Sequence, residues 1–172
     1  LGGEKNHEKA HKWFLKAAES GFLTAMSNLG YLYEKGLGVK QNYAKAMEWR
    51  RKAAEQGDRQ GQYNLGVMYN RGRGVPRDYA EAMKWFRKSA TQGNPEAQYN
   101  IGYMYGHGNG VRRDYAKAVE WYRKAAEQGY AAAQNNLANI LRNGVGVRRN
   151  FDKAFKWLRK AAEQGDASAK LN

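Results

Sequence analysis

The sequence has no cysteine, which excludes disulfides and thiolate metal sites but fixes no compartment. It has two prolines in 172 residues, Pro76 and Pro95, both near expected helix starts. Little in it would interrupt a helical chain. No apolar run approaches the ~18 residues of a membrane-spanning helix, and the opening LGGEKN has no apolar leader core. The expectation is a soluble chain with no membrane partner, cytoplasmic, or periplasmic or secreted after signal removal. Acidic residues are scarce: 16 Asp+Glu against 30 Lys+Arg give a net charge of +14. That excess favours acidic partners.

What is abundant is periodic. Trp13, Trp49, Trp85, Trp121 and Trp157 recur every 36 residues, as do Gly21, Gly57, Gly93, Gly129 and Gly165. Around the tryptophans run YAKAMEWRRKAAEQG, YAEAMKWFRKSATQG, YAKAVEWYRKAAEQG and FDKAFKWLRKAAEQG. Before them stand MSNLGYLYEKGLGV, QYNLGVMYNRGRGV, QYNIGYMYGHGNGV and QNNLANILRNGVGV. A repeat of this length marks stacked supersecondary units. The expected organisation is one repeat domain over 1–172. It has a partial N-terminal unit 1–21, full repeats 22–57, 58–93, 94–129 and 130–165, and a truncated fifth helix A at 166–172. Residues 1–6 align with the G-x-G loop of a preceding unit, so the chain reads as a fragment of a longer array.

Each unit reads as two helices, nine in all. In helix A, Ala25, Leu29, Leu32 and Tyr33 form one apolar stripe at i, i+4, i+7 and i+8. Gly61, Leu65, Met68 and Tyr69 repeat it, as do Ala97, Ile101, Met104 and Tyr105. Helix B starts at the N-cap residues Asn42, Asp78, Asp114 and Asn150, and ends at Gln-Gly or its equivalent. Gly30, Gly66 and Gly102 sit inside helix A at about 1 kcal/mol each relative to alanine, which implies close helix approach. The five tryptophans and Tyr33, Tyr69 and Tyr105 are expected in the core.

The pattern A-x-x-x-L-G-x-x-Y-x-x-G-x-G-V-x-x-D-Y-x-x-A-x-x-W-x-x-x-A-A-x-x-G resembles the Sel-1-like repeat, a relative of the tetratricopeptide repeat, over essentially the whole chain. The resemblance implies an all-α fold, a right-handed α/α superhelical solenoid with helix A lining its concave face. It also implies protein–protein interaction, as in bacterial host-contact and signalling adaptors and in eukaryotic quality-control assembly factors. Some bacterial relatives staple each repeat with a disulfide; this chain cannot.

Residues 7–11 read HEKAH, the spacing of a zinc-peptidase helix. By register, however, His7 replaces Tyr43, Tyr79, Tyr115 and Phe151, and His11 replaces Met47, Met83, Val119 and Phe155. Both stand in for packing residues. The remaining histidine, His107, is nearly three repeats away, and a zinc hydrolase needs a third ligand. The G-x-G-V loops lack the strand and lysine of a phosphate loop. No catalytic constellation is expected, nor any metal, cofactor or small-molecule substrate.

Opposite the stripe, at 100° per residue, helix A presents Ser27, Tyr31 and Glu34; Tyr63, Val67 and Asn70; Tyr99, Tyr103 and Gly106; Asn135, Asn139 and Arg142. Arg71 and His107 flank it. The expected partner-binding set is therefore Tyr31, Tyr63, Asn70, Arg71, Tyr99, Tyr103, His107, Asn135, Asn139 and Arg142, since tyrosine and arginine anchor interfaces. The expected occupant is an extended, acidic protein segment. Asn28, Asn64, Asn100 and Asn136 border the face and are expected first to bond backbone between repeats and second to clamp the backbone of a bound peptide. Lys52, Lys124 and Lys160 each have a glutamate three residues on and are expected to pair with it. Arg77, Arg112, Arg113, Arg148 and Arg149 have no such partner and form an alternative basic ridge for nucleic acid or an acidic surface. A third reading is an architectural segment of a larger protein.

Overall fold

The computed structural model describes residues 2–164, with side chains from residue 6. All its regular elements are helices. Helix α1 covers Gly2–Glu19, α2 Leu23–Lys35, α3 Tyr43–Glu55, α4 Arg59–Arg71 and α5 Tyr79–Thr91. Helix α6 covers Pro95–His107, α7 Tyr115–Glu127, α8 Ala131–Asn143 and α9 Phe151–Glu163. The described chain is thus nine α-helices, an all-α repeat fold. It divides between Ser89 and Ala90 into two compact units. In the first, α1 packs on α2, α2 on α3 and α3 on α4; in the second, α6 packs on α7, α7 on α8 and α8 on α9. The expected fifth helix A at 166–172 lies outside the described residues.

Caps set the helix limits. The side chains of Asn42, Asp114 and Asn150 accept from the backbone N–H three residues on at 2.8–2.9 Å, and Asp78 does the same for Ala80 and Glu81. Asp58 and Asn94 cap the A helices α4 and α6 in the same way. Each A helix ends on a glycine with positive φ, at 36, 72, 108 and 144, a backbone region that side-chain-bearing residues avoid. The loop then folds back: the N–H of Asn42 donates to the Tyr33 carbonyl at 2.8 Å, and Asp114 donates to Tyr105 at 2.9 Å.

The start of the chain departs from the register. Gly2 and Gly3 are helical, part of α1, and do not form the G-x-G loop expected of residues 1–6.

The core is aliphatic more than tryptophan-based. Leu29, Leu65, Ile101 and Leu137, one per repeat, are wholly buried, with Met68, Met104 and Phe86. Of the tryptophans, Trp85 is buried at 6% exposure, whereas Trp13 is 71% exposed; Trp49, Trp121 and Trp157 are half-buried. The expected five-tryptophan core is therefore corrected to one. Tyr33 and Tyr105 are buried, and Tyr69 is half-buried.

The lysine pairing is also corrected. Lys52, Lys124 and Lys160 lie 4.3, 4.4 and 4.8 Å from the ring centres of Trp49, Trp121 and Trp157. Lys52 bonds back to Glu48 at 2.9 Å, and Glu163 pairs with Arg159 rather than Lys160. A helical Cα–Cβ bond tilts toward the N-terminus, so a long side chain reaches the residue three or four earlier. The lysines sheathe the half-buried indoles, a cation–π contact of about 0.5–1 kcal/mol at exposed sites.

A buried glutamine spine, not anticipated from the sequence, crosses the helix junctions. Gln62, Gln98 and Gln134 donate to the carbonyls of Ala54, Ala90 and Ala126 at 3.1–3.3 Å. Gln128 and Gln164 donate in turn to the side-chain oxygens of Gln98 and Gln134. Gln62, Gln98 and Gln134 thereby each add a second bond to a last-turn helix-B carbonyl that also accepts from the backbone N–H of Gly57, Gly93 or Gly129.

Candidate partner-binding site

The close approach implied by the helix-A glycines is present. A Cβ on Gly66 would stand 2.6 Å from the Phe86 ring, one on Gly102 2.8 Å from the Tyr122 ring, and one on Gly30 2.8 Å from Arg50 Cγ. Each A helix thus lies directly on the B-helix residue at one register position, occupied by Arg50, Phe86 and Tyr122. The face opposite is what helix A leaves to solvent.

The structure divides the expected face in two. Tyr31 and Tyr103 are exposed at 47% and 38%, and Arg71, His107, Asn139 and Arg142 are exposed with them. Tyr103 stacks on His107, ring centres 3.8 Å apart. The His107 Nδ1 lies 2.9 Å from the Tyr103 carbonyl, so Nδ1–H donates there. Arg142 donates to the Asn139 side chain at 3.2 Å. These groups present rings and amides at the surface.

The others are committed to packing. Tyr63 is half-buried 6.0 Å from the Phe86 ring. Tyr99 lies against Tyr122 and Tyr130 and accepts a long bond from Asn136 at 3.4 Å. Burial raises the phenol pKa of Tyr99, and raises that of Tyr122 further. Asn70 is half-buried. Asn135, expected on the open face, is buried at 7% exposure, as is Ser27, whose hydroxyl donates to the Asp58 cap at 2.7 Å. This register, 27, 63, 99 and 135, is thus turned toward the neighbouring helices in every repeat, its tyrosines half-buried and its serine and asparagine buried. Where it can be seen, the asparagine column does not tie backbone between repeats. Asn100 bonds the Glu96 carbonyl of its own helix, Asn64 accepts from Gln60, and Asn136 reaches the Tyr99 hydroxyl.

Glu34 is also withdrawn from the face. Arg50 Nη2 donates to Glu34 Oε2 at 2.6 Å and Arg73 Nη1 to Oε1 at 3.1 Å. Arg50 is 5% exposed, with its Nε buried and unpaired. The register foreshadows one half of this: Arg50 stands in a column otherwise filled by Phe14, Phe86, Tyr122 and Leu158, whereas the column of Glu34 varies at every repeat. Sequence reasoning took each column alone and missed the pair.

The loop arginines are exposed, but three of them lie on aromatic rings. Arg77, Arg113 and Arg149 lie over Tyr79, Tyr115 and Phe151 at 5.4, 5.5 and 5.0 Å. In HEKAH, His7 is exposed, and His11 packs edge-on against Tyr33 at 5.2 Å. Among the described residues no three His, Asp or Glu side chains come together as a metal site, and no helix is long and apolar enough to cross a membrane.

Two cavities lie on the second unit. The larger, about 720 Å³, runs beside α9 between Leu141, Phe155 and Trp157. Phe155 shares the register of Met47 and Val119, which are buried, so its apolar character is that of a core position. The smaller, about 310 Å³, lies against Gly106, His107, Arg113, Tyr122, Asn136 and Asn139. It joins residues of the expected face to one of the loop set.

Against this geometry, the Sel1 repeat family model matches residues 1–22, 23–58, 59–94, 95–130 and 131–166. The chain belongs to the Sel1 repeat family. Its repeats are shifted by one residue from the boundaries read in the sequence. Among solved structures it is similar to a protective antigen of uropathogenic Escherichia coli displaying an SLR fold. The identity is 44% and the TM-score 0.87, over 92% of this chain and 34% of that one. A Sel1 repeat protein from Oxalobacter formigenes is 40% identical with a TM-score of 0.88, over 94% of this chain and 64% of that one. An immunity protein from Pseudomonas aeruginosa is 29% identical with a TM-score of 0.63, covering 92% and 59%. The chain therefore spans under two thirds of the length of each of these relatives. No curated protein sequence matches it. Sel1 repeat proteins are in general protein-interaction scaffolds and non-enzymatic.

Proposed function

We propose that this Sel1 repeat chain is a scaffold that holds an extended, acidic segment of a partner protein along the helix-A face. The observation that carries the reading is the exposure of large, rigid, polar-tipped side chains on that face: Tyr31 on α2, and Tyr103 with its stacked His107 on α6. Such residues bury large area at low entropic cost while keeping a hydrogen-bonding tip. The net charge of +14 supports an acidic occupant.

The exposed loop arginines favour a second reading, in which Arg77, Arg112, Arg113, Arg148 and Arg149 bind nucleic acid or an acidic surface. The ring stacking of three of them supplies a local role that weighs against it. The test recovers a partner from source lysate and measures its binding to two variants. One carries Tyr31→Ala, Tyr103→Ala and Asn139→Ala; the other carries Arg77→Ala, Arg112→Ala and Arg148→Ala. The helix-A reading expects loss in the first. Loss confined to the second, with affinity falling steeply as salt is added, would move the site to the loops.

A further inference from the structure

Gly106 differs from the other glycines inside helix A. The others are pressed against a B-helix side chain, whereas a Cβ on Gly106 would meet only Ala118 Cβ, at an ordinary 3.8 Å. Its backbone is helical, with no positive φ. Neither packing nor conformation requires glycine there, yet glycine costs about 1 kcal/mol relative to alanine in a helix. Beside Gly106 lies the 310 Å³ cavity, lined also by Arg113, Asn136 and Asn139 and by Tyr115 and Tyr122. Among the described residues no carboxylate pairs with Arg113, whose recorded contact is the Tyr115 ring.

The first unit shows what a filled version of this position contains. The residue two repeats earlier in that column is Glu34, and its carboxylate lies between two guanidiniums, those of Arg73 and of the Arg50 that takes the place of Tyr122. There the carboxylate is supplied by the chain itself. At Gly106 the side chain is absent, Tyr122 and Val145 stand where Arg50 and Arg73 do, and a guanidinium from a different position, Arg113, lines the cavity together with Asn136 and Asn139.

We infer that the Gly106 cavity is a subsite for a glutamate-sized acidic side chain of the bound segment. Its carboxylate accepts from Arg113 and from the Asn136 and Asn139 amides, and its methylenes lie against the Tyr115 and Tyr122 rings. The inference rests on the helix-A reading above and gives it a chemical specificity. The volume suits one side chain with its flanking peptide and stands at the small end of ligand sites, about 300–1,000 Å³.

The test uses the capped peptide Ac-Ala-Ala-Glu-Ala-Ala-NH₂ and its glutamine counterpart as probes, titrated against the ¹⁵N-labelled chain. The glutamate peptide is expected to shift the signals of Gly106, Asn136 and Asn139 saturably, and the glutamine peptide to bind at least about tenfold more weakly, since a hydrogen bond to a charged group is worth about 1.5–3 kcal/mol. Arg113→Ala should weaken the glutamate peptide by about the same factor. Gly106→Glu, which tethers a carboxylate in the cavity, should abolish binding without lowering the melting temperature. Equal affinity for the two peptides overturns the subsite. So does the absence of saturable shifts at these residues, or binding that survives Gly106→Glu. Retention of a lysate partner by Gly106→Glu, with loss in the Tyr31, Tyr103 and Asn139 variant, would overturn the subsite while leaving the helix-A face standing. Retention by both would overturn the face as well.

Discussion

Gly66 lies directly beneath the ring of Phe86, so close that a Cβ there would stand 2.6 Å from Cδ1. The same relation joins Gly102 to Tyr122. Alanine at either position gains about 1 kcal/mol of helix propensity but must displace a packed ring. Gly66→Ala and Gly102→Ala are expected to lose stability by about 1–3 kcal/mol as overpacking. Gly106→Ala has no such neighbour and should gain up to about 1 kcal/mol. Denaturant titration of the three variants checks this, and a stabilised Gly102→Ala would contradict the close approach.

The buried pair Glu34–Arg50 behaves differently from surface pairs. Glu34→Ala leaves the Arg50 guanidinium enclosed without its carboxylate, at an expected cost of about 3–5 kcal/mol. Replacing both residues by those of the next repeat, Glu34→Asn with Arg50→Phe, should recover most of that loss, because well-packed apolar replacements of buried pairs are often neutral or better. A double variant no more stable than Glu34→Ala would show that the pair cannot be exchanged for an aromatic contact.

Truncating tryptophans should give graded costs despite their identical spacing. Trp85→Ala removes a buried side chain and should cost about 3–5 kcal/mol. Trp13→Ala removes an exposed one and should fall within about 0.5 kcal/mol of wild type. Half-buried Trp121, under Lys124, should lie between. Equal losses across the series in urea titrations would mean that burial does not set the cost.

His11 makes stability depend on pH. Its burial, and then the charge of Lys45, lower its pKa below the usual histidine value of 6.5. The unfolded chain therefore takes up the proton first as pH falls. Stability is fullest above that unfolded value and declines below it until the folded pKa is passed. His11→Met, the residue found at 47 and 83, should flatten the profile between about pH 7 and pH 5. A wild type whose stability is unchanged or higher at pH 5, relative to that variant, would contradict the burial of the ring.

The 36-residue period, the caps at Asn42, Asp78, Asp114 and Asn150, and the helix-A stripe through Leu29, Leu65 and Ile101 are legible in the chain itself. They are local signals: hydrogen bonds to a neighbouring amide, and a periodicity that places residues on one face. Those signals determine the nine helices of the described residues, their order and their family. Tyr31, Tyr103 and Asn139 are exposed where the angle along the helix puts them, but Ser27 and Asn135, placed by the same angle, are buried.

Identical spacing does not carry identical environment. Trp13 and Trp85 occupy one column, yet one is solvated and the other enclosed, because burial depends on which helices lie to either side. Ser27 and Asn135 are buried, and Tyr63 and Tyr99 half-buried, at a position the helix angle alone places on the open face, because the neighbouring helices pack against it. The lysines turn back to indoles because the helix tilts its side chains that way. Only the folded chain brings Glu34 to Arg50 and Arg73, and leaves a cavity beside Gly106.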